Sequence, residues 1–317
     1  MTPHPTERGT TPPVSLTSPH YLLGEFEQDH HTIPEFAARA REFGMQPDAR
    51  LWGWGKVHRT EKPLEQLFVE TGKLVIGAAV EAGRPAVGSS ADVDLLMLCS
   101  TRFPGDAQTH GAFLEAILNG LGLDCAFLGL TLNRCTNLVS GLGVAEALVR
   151  GGAYRNVLVI TADRCATESA RMESFALFSD GAAGCLVTAC PGEYEVLGSA
   201  SAQDPGALEW HHEISADLSR QVNDRLLPPH GLAPGDLAGV LHSNLYVPVV
   251  VMKERLAGFT TGQLDTGNTA RTGHCFAADP LINLVDRRTE PGGHYLLAAS
   301  VPGCRAAMLL RKTPPRP

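Results

Sequence analysis

The sequence lacks several features that define protein classes. It has no apolar run of the roughly 20 residues needed to span a bilayer. Residues 1–19 lack the apolar segment of a secretory signal. Basic residues are in the minority, with 26 Lys and Arg against 34 Asp and Glu. Because phosphate binding needs a basic surface, this balance argues against nucleic-acid affinity. We therefore expect a cytoplasmic protein that binds neither membrane nor nucleic acid.

The eight cysteines include no C-x-x-C pair, and most of them lie in apolar runs. This pattern is typical of buried thiols and not of disulfide frameworks or zinc sites. The pairs His30-His31 and His211-His212 have no carboxylate at metal-ligand spacing, so we interpret them as surface residues. The sequence thus predicts no metal site.

Three motifs of nucleotide and hydrolase chemistry are also missing. The chain has no G-x-S-x-G, no phosphate-binding P-loop and no G-x-G-x-x-G after a strand. A serine hydrolase and a dinucleotide-dependent enzyme are therefore disfavoured. We expect no bound cofactor.

The hydrophobic pattern alternates short apolar runs with amphipathic segments, which indicates an α/β protein with a largely parallel sheet. We predict a flexible terminus at 1–19, a first half at 20–190 and a second half at 191–317. In the first half we expect helices at 33–43, 64–82, 111–120 and 136–150, and buried strands at 94–99, 126–132, 156–162 and 182–188. In the second half we expect helices at 214–226, 247–256 and 279–286, and strands at 237–241, 294–299 and 306–310.

The most informative segment runs from residue 126 to residue 150, AFLGLTLNRCTNLVSGLGVAEALVR. A strand ends, two polar residues follow, and Cys135 opens a helix rich in small residues. A thiol at a helix N-terminus lies at the positive end of the helix dipole, which stabilises the thiolate. Cys135 is therefore a candidate nucleophile, although a buried structural thiol is also compatible with this position alone.

With five further stretches, this segment resembles β-ketoacyl-acyl-carrier-protein synthase III and its thiolase-fold relatives. GKVHR at 55–59 is similar to a T-G-I-x-x-R turn, and DVDLLMLCSTR at 92–102 to the strand before the dimer loop. FSDGAA at 178–183 is similar to F-G-D-G-A-G, VLHSN at 240–244 to H-Q-A-N, and GHCFAA at 273–278 to G-N-T-S-A-A. The matches occur in order over residues 20–311.

The resemblance implies a thiolase-like, five-layered αβαβα fold built from two similar αβ halves. It implies that Cys135 receives an acyl group from a coenzyme A or acyl-carrier-protein thioester, with His242 and His274 beside it. It also implies a homodimer in which the loop at 101–106 lies near the partner's tunnel. A heterodimer with a related chain is the alternative.

Three departures from the family accompany these matches. His274 stands where synthase III enzymes have Asn, so the site is a Cys-His-His set. Val301-Pro302-Gly303 replaces a glycine-rich turn, and because proline has no N–H, the oxyanion hole is reduced to the amides of Cys135 and Gly303. The substrate entrance, assigned to Trp52 and Arg59, matches the family only loosely.

The resemblance leaves four functions open. The first is decarboxylative Claisen condensation of the Cys135 acyl group with a malonyl-type thioester in polyketide or antibiotic biosynthesis. The second is acyl transfer to a hydroxyl, an amine or a second carrier protein, with no carbon–carbon bond formed. The third is a catalytically silent subunit of a heterodimer. The fourth is a thioesterase, in which water takes the acyl group from Cys135.

Overall fold

The computed structural model describes residues 13–47, 50–83 and 88–314. The strands in these ranges are β1 (Ser15–Leu23), β2 (Phe26–Asp29), β3 (Lys56–Arg59), β4 (Leu95–Cys99), β5 (Ala126–Leu130), β6 (Asn156–Asp163), β7 (Gly181–Thr188), β8 (Tyr194–Gln203), β9 (Gly239–His242), β10 (His294–Val301) and β11 (Cys304–Lys312). The helices are α1 (Phe36–Glu42), α2 (Leu64–Glu81), α3 (His110–Leu121), α4 (Asn137–Arg150), α5 (Ala216–Leu226), α6 (Val247–Leu256), α7 (Thr269–Thr272) and α8 (Asp279–Asp286). None of the described helices is long and apolar enough to cross a membrane.

Nine strands hydrogen-bond in the order β5-β4-β6-β7-β1-β8-β11-β10-β9, and β2 pairs separately with β3. Only two residue pairs, Ser15 with Glu195 and Leu16 with Tyr194, join β1 to β8. This short ladder separates a group of five strands, drawn from the first half of the chain, from a group of four that belongs to the second half. The two αβ halves expected from the sequence are thus present.

Three apolar clusters define the layers. One cluster packs α2 and α3 against the outer face of the first strand group, and a second packs α5 and α6 against the second group. The third lies between the two groups and contains the buried faces of α4 and α8. The order from one side to the other is helix, sheet, helix, sheet, helix, which confirms the five-layered thiolase-like arrangement.

The expected elements are present, with boundary shifts of a few residues, but the pairing differs from the prediction of a largely parallel sheet. The pairs β4–β5, β4–β6 and β9–β10 are parallel, whereas β6–β7, β1–β7, β1–β8, β8–β11 and β10–β11 are antiparallel. That prediction was therefore wrong. Local hydrophobic pattern identifies a buried strand but not the direction of its neighbour.

Two segments differ from expectation for related reasons. Residues 15–19, assigned to a flexible terminus, form the start of β1 between β7 and β8, while residues 1–12 lie outside the described residues. Thr, Ser and Pro residues make this strand resemble a loop in sequence. The segment at 126–132 forms an edge strand and not a buried one, because β5 pairs only with β4 and leaves Phe127 50% exposed.

Candidate active site

Cys135 lies in a tight turn between β5 and α4. Arg134, the preceding residue, has φ of 51°, a left-handed conformation that a non-glycine residue adopts under strain. The Asn137 side chain holds the turn by donating hydrogen bonds to the carbonyls of Ser100 and Thr131, each at 2.9 Å. The turn therefore fixes Cys135, which is 1% exposed, two residues before the start of α4.

The surroundings of Cys135 oppose thiolate formation. Burial raises the pKa of the thiol well above its usual range, and the carboxylates of Asp163 and Asp279 raise it further. The helix N-terminus was expected to stabilise the thiolate, but desolvation and the two negative charges outweigh it. Cys135 rests as a thiol, so a nucleophilic role requires a base that removes its proton.

His274 has the arrangement of such a base. Its ring is fully buried, and Nδ1 forms a hydrogen bond with Oδ2 of Asp279, the first residue of α8. The other ring nitrogen, Nε2, is buried without a hydrogen-bond partner. Phe178 contacts the ring at a centroid distance of 4.8 Å and belongs to the same apolar cluster as Cys135.

Asp279 is held firmly against His274. The backbone N–H of Asn244 donates to Oδ2 at 2.6 Å, and the N–H of Cys275 donates to Oδ1 at 2.8 Å. Because a carboxylate only accepts hydrogen bonds, Nδ1 of His274 donates to it, and Nε2 is left without a partner. Cys135, His274 and Asp279 thus have the composition of a nucleophile–base–acid triad.

His242 is arranged differently. Nδ1 donates to the Ser243 carbonyl at 2.9 Å, and Nε2 lies 2.9 Å from Nζ of Lys253. Burial and the neighbouring Lys253 charge lower the pKa of His242 to about 4, so the ring is neutral. Nε2 also lies 2.9 Å from Oε1 of Glu254, so protein groups occupy both ring nitrogens and neither is free to donate to a substrate oxyanion.

Lys253 belongs to a buried ionic cluster with Glu254 and Arg305. The Lys253 amine also donates to Glu254 and to Oγ of Ser300, while Nη1 of Arg305 lies 2.8 Å from Oε1 of Glu254. Although burial opposes ionisation, Arg305 and Lys253 hold the pKa of Glu254 well below its usual range. Burial lowers the pKa of Lys253 to about 7. The cluster holds His242 in place.

A cavity of about 580 Å³ lies next to the residues that surround His274. Phe178 and Phe276, which both contact the His274 ring, line it together with Trp210. Asp163, the last residue of β6, also lines it. Cys135, His242 and His274 lie behind this wall and are not among the lining residues.

The turn proposed to form part of the oxyanion hole lies beside Arg134. Pro302 and Gly303 connect β10 to β11, and Gly303 has φ of 71°, as the second central residue of a type II turn requires. Arg134 donates to the Pro302 carbonyl and to the Leu208 carbonyl, the latter at 2.8 Å, and stacks on Trp210 at 5.1 Å. The oxyanion role of the Cys135 and Gly303 amides stays a prediction.

Trp52 and Arg59 do not belong to the lining of this cavity. Trp52 stacks on Trp54 at a centroid distance of 6.0 Å and lies edge-on to Tyr246 at 6.1 Å. Arg59 lies over the Phe26 ring at 4.9 Å and pairs with Glu61 at 3.1 Å. Both residues have packing partners of their own, and their entrance role stays a prediction.

The first histidine pair is closer to a metal-binding geometry than its sequence indicates. Asp29, His30 and His31 each place one ligand atom within 4.8 Å of the others. However, Nζ of Lys56 lies 3.7 Å from Asp29 Oδ2, and Nδ1 of His30 is bonded to the Gly55 carbonyl at 3.0 Å. The carboxylate is thus already neutralised, and the absence of a metal site stays a prediction.

Comparisons with known proteins show which proteins this chain is similar to. The family model for 3-oxoacyl-[acyl-carrier-protein] synthase III matches residues 131–205, which include Cys135. The synthase III of Fusobacterium nucleatum is 31% identical over 130 residues, 40% of this chain and 39% of that protein. The chloroplastic enzyme of Arabidopsis thaliana is 30% identical over 172 residues, 51% of this chain and 40% of that protein. The chain spans about two fifths of the length of these curated relatives.

Solved structures match over nearly the whole chain. The acyltransferase ChlB3 aligns with a TM-score of 0.79 at 18% identity, covering 96% of this chain and 99% of that one. The synthase III of Pseudomonas aeruginosa aligns with a TM-score of 0.74 at 16% identity, covering 96% and 100%. The chain has the fold of these enzymes, and the synthase III family model matches it around Cys135. At 18% and 16% identity, the similarity of the structures concerns the fold alone.

Sequence patterns missed the acidic residues of this site. Asp279 opens a predicted helix five residues after His274, and Asp163 follows a predicted buried strand. The sequence could have predicted a role for both carboxylates, because polar residues at strand ends and helix starts often form the functional site of an α/β fold. Lys253 and Glu254 gave no such signal, since adjacent charges on a helix usually face solvent.

Proposed function

We propose that this synthase III-like protein is an acyltransferase that moves an acyl group from a coenzyme A or acyl-carrier-protein thioester to a hydroxyl, an amine or a second carrier-protein thiol. The observation that supports this function most directly is the His274–Asp279 pair. It leaves one buried, unpartnered nitrogen in a site that also contains a protonated thiol. Such a nitrogen can act as general base in both halves of an acyl transfer.

In the first half-reaction, Nε2 of His274 takes the proton of Cys135 while the thiolate attacks the thioester carbonyl. Asp279 stabilises the imidazolium that forms. When the tetrahedral intermediate collapses, the bond to the leaving sulfur breaks and the imidazolium returns its proton to the departing thiolate. The product is a thioester between the acyl group and Cys135.

In the second half-reaction, the same nitrogen takes the proton of the acceptor O–H, N–H or S–H. The acceptor atom attacks the acyl carbonyl, the bond to Sγ of Cys135 breaks, and the thiolate recovers a proton from the imidazolium. Proton and acyl group are both conserved over the cycle. Neither step needs a cofactor.

The arrangement of His242 argues for transfer over decarboxylative condensation. Condensation passes through an enolate. In a Cys-His-His site, each of the two histidines donates a hydrogen bond that stabilises this enolate. Nε2 of His242 instead lies 2.9 Å from the Lys253 amine. Condensation remains the second candidate because the curated relatives are named as synthases. The departures at His274 and at Val301-Pro302 favour a specialised biosynthetic role for either reaction.

We further propose that the chain forms a homodimer through β5. This strand lies at one edge of the sheet, and its residues Phe127 and Leu128 are half exposed. An exposed apolar edge strand can hydrogen-bond with a strand of another chain. Leu132, just beyond β5, is 90% exposed. A heterodimer with a related chain would use the same edge. The triad composition argues against a silent subunit.

Intact-protein mass spectrometry tests this function. The chain is incubated with a panel of acyl-coenzyme A and acyl-carrier-protein thioesters, and we expect a gain of one acyl mass. Cys135→Ala abolishes the gain. Cys165→Ala retains it and is a matched control, because Cys165 is a thiol that lines the cavity.

The acylated protein is then given malonyl thioester in one arm and a panel of alcohols, amines and carrier-protein thiols in the other. Transfer without release of carbon dioxide supports the proposal. Release of carbon dioxide with a β-ketoacyl product would replace it with condensation, and the absence of acylation with every thioester would favour the silent-subunit alternative.

A further inference from the structure

Two polar side-chain atoms of the candidate site are buried without a hydrogen-bond partner. One is Nε2 of His274, which the proposed mechanism uses, and the other is Oδ2 of Asp163. Asp163 is only 3% exposed, and the proposed mechanism gives it no task. A buried carboxylate oxygen without a donor is unfavourable, because water no longer solvates it.

The other oxygen of Asp163 is fully occupied. Oδ1 accepts hydrogen bonds from Oγ of Ser100 at 3.0 Å, from the backbone N–H of Thr101 at 2.7 Å and from Oγ1 of Thr101 at 2.6 Å. Three donors on one oxygen fix the orientation of the carboxyl group. The direction of Oδ2 is therefore set by the loop after β4 and does not depend on a ligand.

The position of Asp163 relates it to the reacting groups. The end of β6 packs against the turn Phe276–Ala278, and Asp163 lines the cavity together with Phe178 and Phe276. Its charge contributes to the raised pKa of Cys135, and the His274 ring interacts with it electrostatically. Asp163 thus lies on the cavity wall close to both the nucleophile and the base.

An acyl thioester presents mainly hydrogen-bond acceptors at its reacting end, so a donor for Oδ2 has to come from the acyl acceptor. The reacting proton of that acceptor goes to His274, which leaves Oδ2 for a second donor. We propose that Asp163 binds this second donor, and that the preferred acceptors carry two adjacent O–H or N–H groups, as in a vicinal diol or a vicinal amino alcohol. The inference rests on the proposed acyltransferase function and names its acceptor class.

The geometry assigns different tasks to the two carboxylates. Asp279 acts through His274 as a positioning residue, whereas Asp163 contacts the acceptor. In the transfer step the attacking oxygen gives its proton to Nε2 of His274, its bond to the acyl carbon forms and the carbon–sulfur bond breaks. The neighbouring hydroxyl keeps its proton and donates a hydrogen bond to Oδ2. A hydrogen bond to a charged group gives a preference of about 10-fold to 100-fold over an acceptor that lacks the second donor.

A matched pair of small acceptors tests this inference. The acylated chain is mixed with trans-1,2-cyclohexanediol or with cyclohexanol, and loss of the acyl group from Cys135 is followed by mass spectrometry. We expect a preference for the diol of about 10-fold or more, beyond the factor of about two that its two hydroxyls give by statistics. In Asp163→Asn the amide can place a donor at the former Oδ2 position, and we expect the preference to fall to that statistical factor.

Glu65→Gln is the control variant, because Glu65 is another carboxylate that lines the cavity. Its diol preference is expected to stay as in the wild type. Folding of each variant is checked by thermal unfolding. The acylation of Cys135 by the donor thioester is the second readout, and it is expected to persist in Asp163→Asn.

The outcomes separate the inference from the function on which it rests. Transfer to both acceptors at statistical rates in the wild type would overturn the role of Asp163 and leave the acyltransferase function intact. Equal slowing of both acceptors in Asp163→Asn, with the preference preserved, would also overturn it, because this is the signature of a structural role. Acylation without transfer to any alcohol, amine or thiol would contradict the proposed function itself.

Discussion

Nε2 of His242 lies 2.9 Å from Nζ of Lys253, inside a cluster that also contains Glu254 and Arg305. The sequence matches His242 to the histidine of a family motif, yet the ring is hydrogen-bonded on both nitrogens by the protein itself. His274 is the histidine with a free nitrogen. The difference follows from two charged residues on α6 that turn inward, so the chemistry of this site depends on a helix that contributes no catalytic group.

Glu254→Gln is expected to destabilise the fold strongly. The substitution leaves Lys253 and Arg305 buried without their carboxylate, and breaking a buried ion pair in this way costs about 3–5 kcal/mol. Urea unfolding measures the loss. Glu290→Gln is the matched control, because the pair of Glu290 with Arg288 is exposed, and its removal is expected to leave the midpoint almost unchanged.

Asp279→Asn is expected to reduce acyl transfer by about 10²-fold to 10⁴-fold, because the imidazolium of His274 loses its stabilising charge. The reduction should appear in kcat, while the KM of the donor thioester changes little. Steady-state release of free thiol measures both constants. Asp286→Asn, on the same helix but paired with Arg271 on the surface, should retain full activity. Equal activity of the two variants would remove Asp279 from the mechanism.

The stability of the protein should depend on the ionisation of Asp163. Burial raises the pKa of this carboxyl from 3.8 to about 6, so the folded state holds the proton more tightly than the unfolded state does. Stability is therefore lost as the pH rises from about 4 to about 6, by roughly 3 kcal/mol in total. Asp163→Asn cannot ionise and removes this loss.

Thermal unfolding of both proteins at pH 4.5 and pH 7.5 provides the measurement for Asp163. The midpoint of the variant, relative to the wild type, should be higher at pH 7.5 than at pH 4.5. A difference that is the same at both pH values would show that the carboxyl is already ionised near its ordinary pKa. Glu65→Gln, which keeps Asp163 and its three donors, should follow the wild type.

Leu128→Lys is expected to break the proposed dimer. The residue lies on the edge strand β5, is 40% exposed, and would place a charge in the paired edge. Light scattering coupled to size exclusion should give a mass near 67 kDa for the wild type, twice the 33.7 kDa of the chain, and the monomer mass for the variant. Val80→Lys, an exposed apolar residue on α2, is the control and should stay dimeric. A monomeric wild type would contradict the dimer.

The sequence by itself determined most of the helices and strands of this protein. Apolar periodicity placed α2 at Leu64–Glu81 and β6 at Asn156–Asp163 within one residue at each end, because local side-chain spacing reports burial directly. Motif order then indicated the resemblance to synthase III enzymes and the three candidates Cys135, His242 and His274. None of these inferences needs contacts between residues far apart in the chain.

Only the tertiary structure decided which of these groups are free to react. The His242 ring meets Lys253 eleven residues later, His274 meets Asp279 across the start of α8, and Asp163 from β6 approaches both Cys135 and His274. Tertiary contacts also decided the direction of each strand in the mixed sheet and the central position of β1. Hydrogen-bond partners and desolvation depend on residues brought together by folding, so a linear pattern predicts the reactive groups but not their state.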